Sequence, residues 1–181
     1  MADPHRFTPI QRFLHWLMAI CIIAMLFIGV GMVSSIMPKY LGLIEIHKTL
    51  GIILFILVLV RLVARWRYGA PPLPESLPAP MKLAAVLSHY LLYGLMIVLP
   101  LLGWAMLSAG DYPIVLLGGL RLPPILPTSE ILHTVLWDAH HYLALLFFAV
   151  ILAHLSAALM HAFIRRDGVF AAMAPVPGPR E

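Results

Sequence analysis

Four stretches of this chain have the length and apolarity of membrane spans. Phe13 to Val33 carries no charged residue, and a second run centres on Thr49 to Val60 between Lys48 and Arg61. A third runs from Leu83 to Ser108 around Pro100, and a fourth from Tyr142 to Ile164, extending outward through His140. A helix crosses the hydrocarbon core with about 20 residues. Only helices and closed barrels satisfy their backbone polar groups in lipid, and these runs lack the alternation of a barrel strand. Composition agrees: 62% hydrophobic and 11% charged residues in a 181-residue chain is more apolar surface than one water-facing core could bury. The expected fold is therefore all-α, an integral membrane four-helix bundle, with helices at about 10–34, 44–66, 82–108 and 132–165. Lys48 and Arg61 would snorkel to the interfaces, and Pro100 would kink the third helix.

Arg6 and Arg12 precede the first run as they would in a signal peptide. The run is longer than the usual h-region of about 7–15 residues, and no A-x-A-like site follows, so it reads as an anchor. With four spans, Arg6, Arg12, Arg61, Arg65, Arg67, Lys82, Arg165, Arg166 and Arg180 fall on one side, and Lys39, Lys48 and Arg121 on the other. The positive-inside rule puts both termini in the cytoplasm. The basic pI reflects that topology and implies no nucleic-acid partner. The lone cysteine, Cys21, excludes an intrachain disulfide and a cysteine-ligated cluster. Residues 1–168 read as one membrane domain, joined internally by the proline-rich stretch 69–80 and an outer loop at 118–129, and followed by a disordered tail at 169–181. Trp16, Trp66, Trp104 and Trp137 lie near helix ends, as an aromatic belt would place them.

Nine histidines are present, several at membrane depth, where an ionisable group is costly and points to function. On the fourth helix His140 and His154 are 14 residues apart, which is about 21 Å of rise with the side chains within roughly 40° of one face. His141 would point to nearly the opposite side. Two imidazoles stacked on one face are what a helix needs to serve two haems, whose second axial ligands come from facing helices. Depth pairs His47 with His140 near the outer side. On the inner side it pairs His15 with His154, although depth alone also allows His15 with His161, a member of the same heptad stripe as His133, His140 and His154. His154 is preferred because it keeps the transfer distance along the axis at about 21 Å or less. A zinc or copper site would need its ligands to converge at one depth, and these histidines are spread across the bilayer. Arg61, 14 residues after His47, could pair with an inner haem propionate or snorkel. His89 could hydrogen-bond a propionate or a quinone, or be a satisfied core histidine, and His133 and His161 are open to the same readings. Gly29, Gly51, Gly94 and Gly103 would let helices or a porphyrin approach closely.

Four motifs carry a resemblance: "FLHWLM" around His15, "EIHKTLGI" and "LVRLVARWRY" around His47 and Arg61, "LSHYLLYGLMIVLPLLGW" around His89, and "AHHYLALLFFAVILAHLSAALMH" in the fourth helix. In that order, across residues 8–168, they resemble bacterial cytochrome b561. The resemblance implies a four-helix bundle in the bacterial inner membrane holding two haem b groups. It also implies bis-histidine ligation by His15 with His154 and by His47 with His140. Proteins of this kind are associated with electron transfer between periplasmic superoxide and membrane ubiquinone, so the expected activity is superoxide:ubiquinone oxidoreduction. Lys39, Lys48 and Arg121 would steer superoxide locally, although Glu45, Asp111, Glu130 and Asp138 on the same side oppose a broad positive field. The alternative is a haem-bearing membrane subunit that takes electrons from a hydrogenase- or formate-dehydrogenase-like partner protein.

Overall fold

Thr8 begins the first helix because it completes a capping box with Gln11. The Gln11 backbone N–H donates to Thr8 Oγ1 at 3.4 Å, and Gln11 Oε1 accepts from the Thr8 backbone N–H at 3.1 Å. Pro9 supplies the first helical position. The computed structural model describes residues 6–34 and 39–174, without the side chain of Lys39; His5, Arg180 and the rest of the tail from 175 lie outside the described residues. Helix α1 spans Pro9–Val33, α2 Lys39–Tyr68, α3 Ala79–Ala109 and α4 Glu130–Leu159. Helix α4 runs on into a π-helical turn, Met160–Arg165, and a short helix α5 follows at Val169–Met173. Among the described residues the fold is all-helical, with four helices long and apolar enough to cross a membrane.

The bundle is built from two hairpins. Helix α1 packs mainly on α2 and α3 mainly on α4, with a lighter seam between α2 and α3. Leu95, Leu99 and Phe147 form a buried cluster in the second hairpin, with Leu92, Met96, Leu143 and Ile151 packed around them. Phe27, Val30, Leu83, Leu145 and Ile164 face outward, as suits helices whose solvent is lipid. Gln11, only 5% exposed, donates from Nε2 to the Gly69 carbonyl at 2.9 Å and so ties the start of α1 to the end of α2. Gly69 itself takes φ +70° and returns its N–H to the Arg65 carbonyl, a left-handed helix ending that suits glycine.

The loop from 110 to 129 folds back over the α2–α3 end of the bundle. Gly118 and Gly119 turn with positive φ inside a small reversal closed by the Val115–Arg121 bridge. The Leu117 N–H donates to Thr49 Oγ1 at 2.8 Å, Trp104 Nε1 donates to the Pro123 carbonyl at 2.9 Å, and the Ile125 N–H donates to Ser108 Oγ at 3.1 Å. Trp104 thus anchors a loop in addition to lying near a helix end.

Two boundaries differ from the sequence expectation. Helix α2 begins at Lys39, because its first turns tolerate Gly42 and Glu45, which interrupt an apolar run without interrupting a helix. The stretch expected to be disordered from residue 169 begins with α5. Its C-terminal carbonyls are satisfied from α1 and its approach: Arg6 Nη2 and Arg12 Nη1 donate to the Ala174 carbonyl, each at 3.2 Å, and Trp16 Nε1 donates to the Met173 carbonyl at 2.9 Å. The Phe7 N–H donates to the Ala172 carbonyl at 3.1 Å.

Candidate functional site

Two pairs of histidines face each other across the two hairpins, at two depths, and are called outer and inner after the expected topology. In the outer pair, His47 of α2 and His140 of α4 have ring centres 6.2 Å apart and planes inclined at 67°. In the inner pair, His15 of α1 and His154 of α4 have ring centres 6.3 Å apart and planes inclined at 68°. The two pairs are nearly identical in geometry although no local sequence pattern relates them. A metal bonds imidazole nitrogen at about 2.0 Å, so two rings whose centres stand about 6 Å apart could hold one ion between them. Both pairs meet that separation. Among the described residues no group of three or more histidine, cysteine, aspartate or glutamate side chains converges to hold a metal ion. The donor set is two imidazoles per site, which suits a metal whose remaining ligands come from a macrocycle.

The outer pair is seated from α3. His140 Nδ1 lies 3.1 Å from the Leu99 carbonyl oxygen, to which it donates, which leaves Nε2 as the ring nitrogen with a free lone pair. The ring lies against Gly103, where a Cβ would make ordinary van der Waals contact, 3.4 Å from Cε1. Gly51 is also a close position, where a Cβ would contact Met25, whereas Gly29 and Gly94 have open space around them.

The inner pair has two further neighbours. His89 of α3 stacks edge-on against His154, with ring centres 5.6 Å apart, and its Nδ1 meets the Ala85 carbonyl. Arg61 donates from Nε to the Tyr93 hydroxyl at 3.2 Å and from Nη1 to the Gln11 carbonyl at 3.4 Å. The Gln11 carbonyl lies one helical turn before His15, which sets the guanidinium near the depth of the inner pair. Tyr93, which holds the guanidinium in place, carries no signal in the sequence that separates it from the other helix tyrosines.

The remaining histidines are engaged elsewhere. His161 binds Asp167 through Nδ1 at 2.7 Å, and Arg165 Nε donates to the same carboxylate at 3.1 Å. The π-helical turn and the left-handed Arg166 (φ 51°) bring Asp167 back onto His161. Burial pushes the Asp167 carboxyl up, but hydrogen bonds from His161, Arg165 and the Val169 N–H prevail and hold it below the ordinary value of 3.8. His161 therefore belongs to a clasp at the end of α4, and the ring facing His15 is His154. His133 donates from Nδ1 to the Met106 carbonyl at 2.8 Å and lies between Tyr112 and Trp137, joining the end of α3 to α4. His141 is exposed beside Tyr142, turned about 100° around the helix from His140.

Comparison with known proteins places the chain among membrane cytochromes. The prokaryotic cytochrome b561 family matches residues 6–175. Cytochrome b561 homolog 1 of Escherichia coli (strain K12) is 32% identical over 179 residues, covering 94% of this chain and 98% of the relative. Cytochrome b561 homolog 2 of the same organism is 32% identical over 171 residues, covering 91% and 88%. The probable superoxide oxidase CybB of Yersinia pestis is 32% identical over 131 residues, covering 72% and 73%.

Proposed function

Because this chain belongs to the prokaryotic cytochrome b561 family of membrane haem proteins, we propose that it is a di-haem b-type cytochrome of the bacterial inner membrane. In this reading it carries electrons from superoxide at the periplasmic face to ubiquinone. The observation that carries the proposal is the repeated geometry of the two histidine pairs, each at the ring separation that bis-histidine ligation requires. His47 and His140 hold the outer haem, and His15 and His154 the inner one. When bound, the haems supply reversible one-electron chemistry. Each superoxide gives up one electron and leaves as dioxygen, and two such electrons with two protons convert quinone to quinol.

The chain's own residues divide the remaining work. Arg61, held by Tyr93 and the Gln11 carbonyl, places a fixed cation beside the inner pair, where it pairs with a haem propionate. His89, in contact with His154, offers its other ring nitrogen to a propionate or to quinone at the inner end. Lys48 and Arg121 give the outer end local positive charge, which steers a small anion. Both termini face the cytoplasm by the charge count. The likeness to a protein named for superoxide oxidation supports superoxide as donor.

The test is optical. Purified protein should show a reduced b-type spectrum with dithionite, become reduced within mixing time by superoxide, and be reoxidised by added ubiquinone. A dithionite-reducible spectrum that superoxide leaves untouched would overturn the donor assignment and favour the role of a membrane subunit fed by a partner protein.

A further inference from the structure

The two imidazoles of the outer pair are held unequally. Helical side chains lean toward the N-terminus and cover the preceding turn, so a side chain at position 103 would lie over the Leu99 carbonyl. Gly103 has none: a Cβ there would stand 3.4 Å from His140 Cε1 and 3.7 Å from its Nδ1. The His140 ring lies against that gap and reaches the Leu99 carbonyl at 3.1 Å. Leu99 is itself part of the buried cluster with Leu95 and Phe147, so the acceptor is fixed by packing. Across the pair, His47 Nδ1 is buried without a hydrogen-bond partner.

We infer that the Leu99 carbonyl and Gly103 form a notch that positions His140, fixes its proton on Nδ1 and makes it the stronger axial donor of the outer haem, with His47 the weaker. The inference rests on the ligand assignment proposed above. A carbonyl that accepts Nδ1–H raises the basicity of the opposite nitrogen, and loss of such a partner typically weakens metal binding by about 10–100-fold. A stronger donor favours ferric over ferrous iron, so the notch holds the outer haem's potential down. Gly103 is a positioning residue: it touches neither iron nor substrate and acts through His140.

The experiment is a redox titration of full-length Gly103→Ala and Gly103→Val in detergent, resolving both haems and counting haem per chain. Alanine adds only ordinary van der Waals contact and should leave both potentials unchanged. Valine places a γ-carbon where the ring lies and should raise the outer potential, by about 59 mV for each tenfold loss of ferric preference. The inner potential should stay where it is, about 21 Å away along α4. An unmoved outer potential in a fully haem-loaded Gly103→Val protein overturns the notch. Should the valine variant fail to accumulate, histidine NMR of the wild type decides. One axial Nδ1–H, identified by the signal that Gly103→Ala shifts, should exchange with solvent more slowly than those of the other axial histidines; equal exchange overturns the proposal. His140→Ala separates the two layers of the argument. If it keeps two haems, the ligand assignment itself is wrong. If it loses one while Gly103→Val changes nothing, only the notch is wrong.

Discussion

Pairing two histidines across a bundle makes a prediction about combinations that single substitutions cannot reach. Within a pair the rings are 6.2 or 6.3 Å apart and, in the proposed ligation, would share one haem, whereas the two pairs are separated along α4 by about 21 Å. Sites beyond about 7–10 Å with no shared partner behave additively, and groups that share a partner do not. Haem content should therefore follow the pairs and not the number of histidines removed. Each of His15→Ala, His47→Ala, His140→Ala and His154→Ala should lose one of the two haems. His47→Ala with His140→Ala should lose no more than either alone, and so should His15→Ala with His154→Ala. His15→Ala with His47→Ala, or His140→Ala with His154→Ala, should lose both. The assay is haem per chain, by pyridine haemochrome against quantitative protein determination on detergent-purified material. A within-pair double variant that loses both haems while the cross-pair double keeps one would refute the pairing. So would any single variant that keeps both.

Three other outcomes follow from the structure. His161→Ala should keep both haems, because its imidazole is bound to Asp167; loss of the inner haem in that variant, with retention in His154→Ala, would reverse the inner assignment. Asp167 is held below the ordinary carboxylate value, so its clasp stabilises the fold above about pH 4 and is lost as pH falls through the lowered pKa. Thermal melts should accordingly show Asp167→Asn less stable than wild type near neutrality and the difference vanishing in acid; a constant difference across that range would contradict the clasp. Gln11→Ala removes the capping-box partner and the tie to the Gly69 carbonyl, and should cost about 1–3 kcal/mol, read as a lowered Tm, whereas an unchanged Tm would show that these bonds contribute nothing net.

What could be read from the sequence was whatever depends on one helix at a time. Lipid demands long apolar runs, so α1, α3 and α4 are visible as composition. The stacking of His140 and His154 follows from helical repeat alone, and the separation of His141 from them does too. Features that need two elements were legible only in part: depth and the resemblance paired the histidines, but not what seats them. The choice of His154 over His161 rested on an argument about distance, whereas in the structure it turns on Asp167, brought back by a π-helical turn that no pattern announces. The seat of His140 is a backbone carbonyl made reachable by the absence of a side chain one turn away, and a glycine in a membrane helix has many other uses. Helix α5 lies in a stretch read as disordered because the donors that satisfy its last carbonyls come from Arg6, Arg12 and Trp16, more than 150 residues earlier.

The two-hairpin construction bears on how such a protein is made. Each imidazole pair takes one ring from α1 or α2 and the other from α4, so neither hairpin contains a whole binding site. If the pairs hold haem as proposed, the first hairpin would enter the membrane as translation proceeds yet stay colourless until α4 has been synthesised. Haem capture would then be a late event that joins the halves, and pigment a readout of assembly. Cutting the chain in the proline-rich connection between α2 and α3 should yield two inserted fragments, neither of them red, whose co-expression restores the colour. In that sense the cofactor would be a rivet for the bundle as well as a conductor through it.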